Sequence, residues 1–342
     1  MNMNENIQPL DADDLDSWWR TIPGARRFLN AVFSAFNKKC ALAAQIPAES
    51  VEDFIQALEQ KIQRKDANSP VERFNYDRAG DVEDFVEALT VEFAPNFLRN
   101  FTRAPLEDLA KQNPFGGYAA IIIRLEEKAD WLTDAVTEFN RSAANFSTAL
   151  IFVTTEENPP PNLTRLSDYL TPYDVQFFAI NFLENAPLTA KKKMYTSTLA
   201  EKLSGQSPIL VKNLARLELY NHGLEFVRTL LPQFDERIFV RAVWECQMQF
   251  LLPTLEEIRE RLIRKNEPHL RRILPKQDEF GTILEEPLDM ELRHLHYYGG
   301  KYKIFPAEDW ELLEFAYAAR NDLSHLKKLE LWDLERLFAY AE

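Results

Sequence analysis

Glycine is scarce in this chain, with 9 residues in 342, whereas about 7% is usual. Loops that cradle phosphate use glycine to bring backbone amides close to the ligand. The scarcity leaves little material for such loops. Cysteine is equally rare, since the chain has 2. Cys40 and Cys246 stand in apolar or helical sequence, so we expect buried, reduced thiols rather than disulfides or a metal framework.

Positive charge and long apolar runs are also lacking. The chain has 40 Lys and Arg against 54 Asp and Glu, a net charge of −14. This balance argues against diffuse nucleic-acid binding, which needs local positive charge. No apolar run approaches the ~20 residues of a membrane-spanning helix. Residues 1–14 are polar and acidic, unlike a signal peptide. We therefore expect a cytoplasmic protein without membrane contact.

Short apolar runs alternate with amphipathic segments over the first half of the chain. The pattern predicts strands at 40–46, 71–76, 118–125, 149–154 and 175–183, and helices at 25–37, 50–64, 81–93, 130–142 and 163–170. Ser50 and Asp53 have the spacing of a capping box at the start of one helix. Strands that alternate with helices of this length predict a parallel, doubly wound sheet.

The strand pattern stops after Pro187, and the rest reads as helical. We therefore predict an N-terminal tail and helix at 1–24, an α/β domain at 25–186, a helical module at 187–235 and a helical domain at 236–342. Within the last domain, prolines are expected to divide the sequence into short helices. Gly299 and Gly300 are expected to form a loop. The predicted fold class is α/β plus α.

The predicted sheet lacks the phosphate loop of P-loop ATPases, G-x-x-x-x-G-K-[ST]. Residues 47–50, which follow the first strand, are Pro-Ala-Glu-Ser. Arg124 also stands where such enzymes place a metal-binding aspartate, with Glu126 and Glu127 out of position. The order of elements over 25–235 still resembles the AAA+ and STAND class of ATPases. The resemblance implies a degenerate, non-hydrolysing relative without a cofactor, and an unrelated α/β domain remains the alternative.

Residues 198–218 have the pattern of a helix, a Ser-Gly turn and a second helix, as in helix-turn-helix and winged-helix modules. In a DNA-binding module, Lys212, Asn213 and Arg216 would face the major groove. In STAND proteins, which the chain resembles, such a module usually packs internally. We favour that interpretation, so DNA binding is the weaker hypothesis.

Acidic residues and two histidines near residue 290 invite comparison with a metal site. His294 and His296 are two residues apart, so on a helix their side chains would point about 200° from each other. Metal ligands must converge on one point. The spacing therefore favours a surface or helix-end cluster, and we expect no bound metal.

The segment Arg320-Asn321-Asp322-Leu323-Ser324-His325 lies in a long predicted helix near the C-terminus. It resembles the ribonuclease motif of the HEPN superfamily of small helical domains, in which Arg and a polar residue precede His. The resemblance implies catalysis by Arg320, Asn321 and His325 in a symmetric dimer. Histidine exchanges protons near neutral pH and arginine offers a permanent cationic fork, which together suit metal-independent RNA cleavage.

Residues five apart on a regular helix point about 140° apart. A working site therefore needs a helix end, a distortion or a second copy. Arg320 and His325 could instead neutralise a helix end beside Asp322 and Glu330. Four basic residues upstream could guide RNA or simply form a solvated helix face with i,i+4 pairs. These are Arg264, Lys265, Arg271 and Arg272.

The sequence thus leads to three functional hypotheses. The first is a prokaryotic conflict, antiviral-defence or stress protein in which a STAND-like domain controls a HEPN endoribonuclease acting on RNA as a homodimer. The second is a non-catalytic scaffold that docks a protein partner within a larger assembly. The third is a DNA-binding regulator using residues 190–218.

Overall fold

In a computed structural model the described residues are 7–78, 80–97, 109, 112–142, 146–155 and 163–340. They form an α/β structure with a five-stranded parallel sheet and many helices, which confirms the predicted general class. The chain divides into two compact units. Unit 1 comprises Met1–Phe182 and Ser204–Asn213, and unit 2 comprises Leu183–Leu203 and Leu214–Glu342.

Unit 1 is built around the parallel sheet. Its strands are β1 (Ala41–Gln45), β2 (Val71–Tyr76), β3 (Ala120–Leu125), β4 (Ala149–Thr154) and β5 (Thr164–Arg165), in the order β2-β3-β4-β1-β5. The helices are α1 (Ala12–Asp16), α2 (Pro23–Lys38), α3 (Val51–Lys65), α4 (Val82–Phe93), α5 (Leu132–Ser142) and α6 (Pro172–Leu183), and Ser17–Thr21 forms a π-helical turn.

The sheet carries apolar side chains on both faces because helices cover both. Every residue of β4 is buried. Leu150 and Phe152 join a core cluster with Phe85 and Phe139 of the overlying helices. The uninterrupted apolar runs that predicted β3 and β4 therefore reflect double-sided burial.

The end of the predicted sheet differs from expectation. Residues 175–183, predicted as a strand, belong to α6, because Val175, Phe178 and Ala179 are buried with helical spacing. Asp174 supports the start of α6 by accepting hydrogen bonds from the backbone and hydroxyl of Thr171 at 2.9 and 2.8 Å. The segment 163–170, predicted as a helix, instead supplies β5 and a short 3-10 turn.

Unit 2 is helical apart from a two-stranded hairpin. Its helices are α7 (Ala190–Ser204), α9 (Leu217–His222), α10 (Leu224–Leu230), α11 (Glu236–Arg271), α12 (Leu292–Tyr302), α13 (Ala307–Ser324) and α14 (Leu331–Tyr340). Helix α8 (Pro208–Leu214) follows α7 in the chain and, except for Leu214, belongs to unit 1. The hairpin pairs β6 (Lys276–Gln277) with β7 (Ile283–Leu284). Helix α11 packs against α13 and α14, and α12 packs against α13.

Proline and glycine disturb unit 2 less than predicted. Helix α11 runs for 36 residues with Pro253 and Pro268 inside it. The packing of its buried face against α13 and α14 offsets the loss of backbone hydrogen bonds at those positions. Helix α12 likewise continues through Gly299 and Gly300, which were expected in a loop. A Cβ atom on Gly299 would lie 2.5 Å from Cε2 of Phe305. Glycine is needed there for close packing, not for a turn.

The N-terminal segment is attached to unit 1 by hydrogen bonds, and neither cysteine forms a disulfide. Residues 1–6 of the predicted tail lie outside the described residues. Gln8 is held because its N–H donates to Asn213 Oδ1 at 2.9 Å, and the Asn213 amide donates to the Gln8 carbonyl at 2.8 Å. Leu10 is buried. Both cysteines are free thiols; Cys246 is buried and Cys40 half-buried.

We predict that Gly299→Ala destabilises unit 2 by about 1–3 kcal/mol, because the added methyl group displaces the ring of Phe305. Urea denaturation followed by tryptophan fluorescence measures the change. Gly117→Ala is the control, since nothing lies within 4 Å of a Cβ atom there. Equal stabilities for Gly299→Ala and the unmodified protein would refute this packing role.

Candidate functional site

The three motif residues lie at the C-terminal end of α13. Arg320 and Asn321 occupy its last turns, and His325 is the residue that caps it. The side chains of Arg320 and His325 are exposed and that of Asn321 is half-buried. The motif therefore faces solvent in a single chain.

The helix ends in a Schellman motif that changes the direction of the chain at His325. The Lys327 N–H donates to the Asp322 carbonyl at 3.0 Å, and the Leu326 N–H donates to the Leu323 carbonyl at 3.3 Å. Leu326 takes the left-handed position with a φ of 60°, which usually belongs to glycine. His325 has φ −97° and ψ 23°, outside helical geometry. The helix end that a working site requires is thus present.

The acidic neighbours of the motif pair with other cations. Asp322 Oδ1 lies 3.4 Å from Lys327 Nζ, and Glu330 Oε1 lies 2.7 Å from Lys328 Nζ. Among the described residues, Arg320 and His325 form no ion pair. Arg320 and His325 nevertheless lie at the C-terminal end of α13, where a cation is favourable. The alternative in which they neutralise this helix end therefore rests on that position and not on ion pairs with Asp322 or Glu330.

Helix α11 fixes the chain around this helix end. The indole N–H of Trp244 donates to the Leu323 carbonyl at 2.7 Å. The Gln247 amide donates to the Leu329 carbonyl at 2.9 Å and accepts from the Leu329 N–H at 2.6 Å. Gln247 is 1% exposed and Leu323 is fully buried. The exposed motif consequently sits on a buried, fully hydrogen-bonded support.

A cavity of about 310 Å³ in unit 2 lies beside the following loop. Residues 328–331 and His222 contribute to its wall, but Arg320, Asn321 and His325 do not. The motif therefore lies on open surface. A phosphate bound there by one chain would keep most of its contact with water, which weakens electrostatic stabilisation.

The basic residues upstream are mostly paired. Arg264, Lys265 and Arg271 bond Glu260 (2.7 Å), Asp309 (2.8 Å) and Glu267 (2.8 Å), respectively. Arg271 also bonds Glu286. Asp309 is 6% exposed and also accepts from the Asn266 amide at 3.1 Å, so Lys265 helps attach α13 to α11. Arg272 is exposed. These contacts favour a solvated helix face over an RNA-guiding surface.

The segment compared with a helix-turn-helix module uses its polar residues for internal contacts. Asn213 is 1% exposed and bonded to Gln8. The Lys212 ammonium bonds Asp14 and, at 3.1 Å, the Pro9 carbonyl. Arg216 pairs with Glu218 at 2.6 Å. The three proposed base-reading side chains thus contact other protein groups, which disfavours the DNA-binding hypothesis.

The upstream lysines of the same module are also engaged. Lys191 donates to the Thr254 hydroxyl at 2.8 Å. Lys192 bonds Glu335, and Lys193 donates to the Glu184 carbonyl at 2.6 Å. Glu335 neutralises Lys192, whereas Lys191 and Lys193 keep their charge but donate to a hydroxyl and a carbonyl group of the protein.

The edge of the sheet where an ATPase would hold phosphate and metal carries an ion-pair network instead. Arg124, at the end of β3, lies 2.7 Å from both Glu52 and Glu126. Arg73 of β2 reaches Glu52 at 3.1 Å and Glu59 at 2.6 Å. Arginine at the expected metal position is therefore neutralised by carboxylates that would otherwise be free to bind a cation.

The turn after β1 leaves two polar side chains without partners. Ser50 has φ −106° and ψ 1°, so its hydroxyl makes no cap hydrogen bond and the predicted capping box is absent. Among the described residues, Ser50 Oγ and Asp53 Oδ2 are buried without a hydrogen-bond partner. Burial raises the pKa of the Asp53 carboxyl to about 6, and repulsion from Glu52 adds to the effect.

The histidines near residue 294 fit the interpretation as a helix-end cluster. His294 Nδ1 accepts from the Glu291 N–H at 3.1 Å and closes the start of α12. His296 stacks between Trp310 and Tyr317, with ring centroids 5.1 and 4.5 Å away. Within the described parts of the chain, no group of three or more His, Cys, Asp or Glu could hold a metal ion.

None of the helices among the described residues combines the length and the apolar character needed to cross a membrane. Comparisons with models of protein families, with curated proteins and with solved structures gave no match.

We predict that Leu326→Gly raises the free energy of unfolding of unit 2 by about 0.5–1 kcal/mol, because glycine adopts the left-handed conformation without the Cβ clash. Chemical denaturation measures the change. Leu252→Gly, in the interior of α11, is the matched control and should destabilise by about 1 kcal/mol. A loss of stability in both variants would contradict the backbone strain inferred at Leu326.

We predict that Asp53→Asn stabilises unit 1 at pH 7 by about 1–2 kcal/mol, because burying the ionised carboxylate costs free energy that a neutral amide avoids. The carboxylate is partly solvated, which keeps this cost below its full value. The pKa of Asp53 is about 6 when folded and 3.8 in its ordinary state. The folded protein therefore binds the proton more tightly, and stability falls as the pH rises from about 4 to 7.

The substitution should remove that part of the pH dependence. Urea denaturation at pH 5 and pH 7 measures it, with exposed Asp77→Asn as the control. An unchanged pH slope in Asp53→Asn would show that the carboxylate is not desolvated.

Proposed function

We propose that the protein is a metal-independent endoribonuclease of the HEPN type, held on a degenerate AAA+/STAND-like unit and acting in prokaryotic defence or stress. The observation that carries the proposal is that Arg320 and His325 are exposed at a helix end and form no ion pair within the described part of the chain. Hydrogen bonds from Trp244 and Gln247 hold the backbone next to that helix end. An arginine and a histidine exposed together at a helix end offer a phosphate-binding group and a proton-transfer group.

The chemistry assigns a role to each residue. The 2′-hydroxyl of RNA attacks the adjacent phosphorus, and the bond to the 5′-oxygen breaks. His325 removes the proton from the 2′-hydroxyl or supplies one to the leaving 5′-oxygen. Arg320 binds the phosphate oxygens, where negative charge accumulates in the transition state. Asn321, half-buried beside them, orients the phosphate or one of these side chains.

A second copy of the chain completes this site. Residues five apart on a regular helix point about 140° apart, and the cavity beside residues 328–331 does not include Arg320 or His325. Two copies related by a two-fold axis would bring the His325 of one chain opposite the Arg320 of the other. The interface would also exclude water from the bound phosphate.

In the proposed function, unit 1 acts as a sensor or scaffold. Its strand β1 lies between β4 and β5 in a parallel sheet, an arrangement compatible with the proposed ATPase-like unit. The Pro-Ala-Glu-Ser turn and the Arg124 network replace the groups that bind phosphate and metal. We therefore propose that unit 1 controls the ribonuclease site without hydrolysing ATP.

A non-catalytic docking role is the second candidate, and exposed apolar residues near the motif favour it. Trp332 is 78% exposed and Leu326 is 66% exposed. Large aromatic side chains of this kind often anchor protein interfaces. Under this alternative, Arg320 and His325 would form ion pairs with a protein partner rather than bind RNA.

We predict that the purified full-length dimer cleaves single-stranded RNA in the presence of EDTA. His325→Ala should reduce the rate at least about 100-fold, because a proton-transfer group is lost. Arg320→Lys should also lower the rate, since the ammonium cannot bind phosphate bidentately. Gel analysis of end-labelled RNA measures all three proteins. The activity per chain should increase with protein concentration as dimers form.

His269→Ala is the matched control because His269 is another exposed histidine of unit 2, and it should retain full activity. Intact RNA after incubation with a verified dimer would contradict the catalytic proposal. A stable stoichiometric protein partner that buries Arg320 and His325 would then support the docking role.

A further inference from the structure

A concave surface in unit 1 concentrates positive charge on an acidic chain. The cavity has a volume of about 440 Å³ and lies among α1, the π-helical turn, α2 and α3. Five of its lining side chains are cations and one is a carboxylate. They are Arg20, Arg26, Lys61, Arg64, Lys65 and Asp16. The cavity is therefore strongly cationic, although the chain as a whole carries −14.

Two buried hydrogen-bond donors at this cavity have no partner. Arg20 Nη1 pairs with Asp16 Oδ1 at 2.6 Å, but Arg20 Nη2 is buried without a hydrogen-bond partner among the described residues. Trp19 is 1% exposed, and its indole N–H is also unpartnered within that part of the chain. Buried donors are almost always satisfied in folded proteins. The Arg20 side chain as a whole is 39% exposed, so an anion in the cavity would meet its guanidinium group.

The local backbone explains why Trp19 and Arg20 are held there. Ser17–Thr21 is a π-helical turn, a rare feature that often occurs at functional sites. Trp18 packs on Phe178 with ring centroids 4.8 Å apart, and Trp19 packs on Phe54 at 5.3 Å. Two consecutive tryptophans are thus anchored in the core. Arg20, the next residue, is fixed at the wall of the cavity.

The cations of α3 are only weakly compensated. Among the described residues Lys61 has no ion pair, and its ammonium lies 5.1 Å from the centroid of the Phe33 ring. Burial lowers the pKa of Lys61, and repulsion from Arg20 lowers it further. Arg64 lies 3.8 Å from Asp16, the carboxylate that Arg20 already bonds. Bound negative charge would relieve this repulsion.

We propose that the cavity binds an organic phosphate of about mononucleotide size. Arg20, Lys61 and Arg64 would hold the phosphate, and the apolar walls formed by Leu29 and Phe33 would contact the organic part. The enclosed volume falls in the range of small-molecule sites. An acidic peptide or a nucleic acid would instead need a basic surface extending beyond the cavity. The proposal is independent of the ribonuclease site in unit 2.

Isothermal titration calorimetry of the full-length protein at low salt tests the proposal with three probes. ADP should bind, inorganic pyrophosphate should bind at least tenfold more weakly, and uncharged adenosine should not bind. Lys61→Gln and Arg64→Gln should each weaken ADP binding at least tenfold while leaving the melting temperature unchanged. Raising the salt concentration should weaken binding by screening the charges.

Arg78→Gln is the matched control, because Arg78 is an exposed cation of unit 1 that does not line the cavity. It should bind ADP like the unmodified protein. The absence of ADP binding, or ADP binding unchanged in both Lys61→Gln and Arg64→Gln, would overturn the proposal. Equal affinity for pyrophosphate and ADP would overturn the organic part and indicate a site for free phosphate.

Discussion

The hydrogen bonds between Gln247 of α11 and the backbone of Leu329 are the constraint on which the proposed site depends. A buried amide must satisfy both its donor and its acceptor, and here a single residue of the following loop does so. Trp244 fixes the end of α13 in the same way through the Leu323 carbonyl. The chain between these two anchor points has little freedom. It contains His325 and the left-handed Leu326, so the anchors hold a strained turn in place.

Charge is distributed over the molecule with a clear contrast. Most cations are paired, including Arg264, Lys265 and Arg271 of α11 and Arg124 at the edge of the sheet. Surface pairs of this kind contribute little stability, but they remove charge that would attract nucleic acid. Among the described cations for which no ion pair is found are Arg320 of the Arg-Asn…His segment and Lys61 of the cavity beside the π-helical turn.

Much of the fold could be predicted from the sequence, because its strands and helices carry strong local patterns. β3 and β4 are uninterrupted apolar runs, and α2, α3 and α4 have regular amphipathic spacing. The sequence-based assignment was wrong where an apolar segment fitted both the helical period of 3.6 residues and the strand period of two. Residues 175–183 were assigned to a strand, but burial at Val175, Phe178 and Ala179 follows the helix. Proline and glycine were expected to end helices, but packing keeps α11 continuous through Pro253 and α12 continuous through Gly299.

The sequence by itself determined which chemistry was available: a glycine-poor turn after β1, an arginine at the metal position and the Arg-Asn…His segment near the C-terminus. These follow from residue type and spacing, which the chain carries locally. Only the tertiary structure decided which charged groups were free. Ion pairs and buried amides join residues far apart in the chain, as Lys265 does with Asp309 and Gln247 with Leu329. The cationic cavity arises in the same way, because α1, the π-helical turn, α2 and α3 all supply its wall and no local pattern signals their convergence.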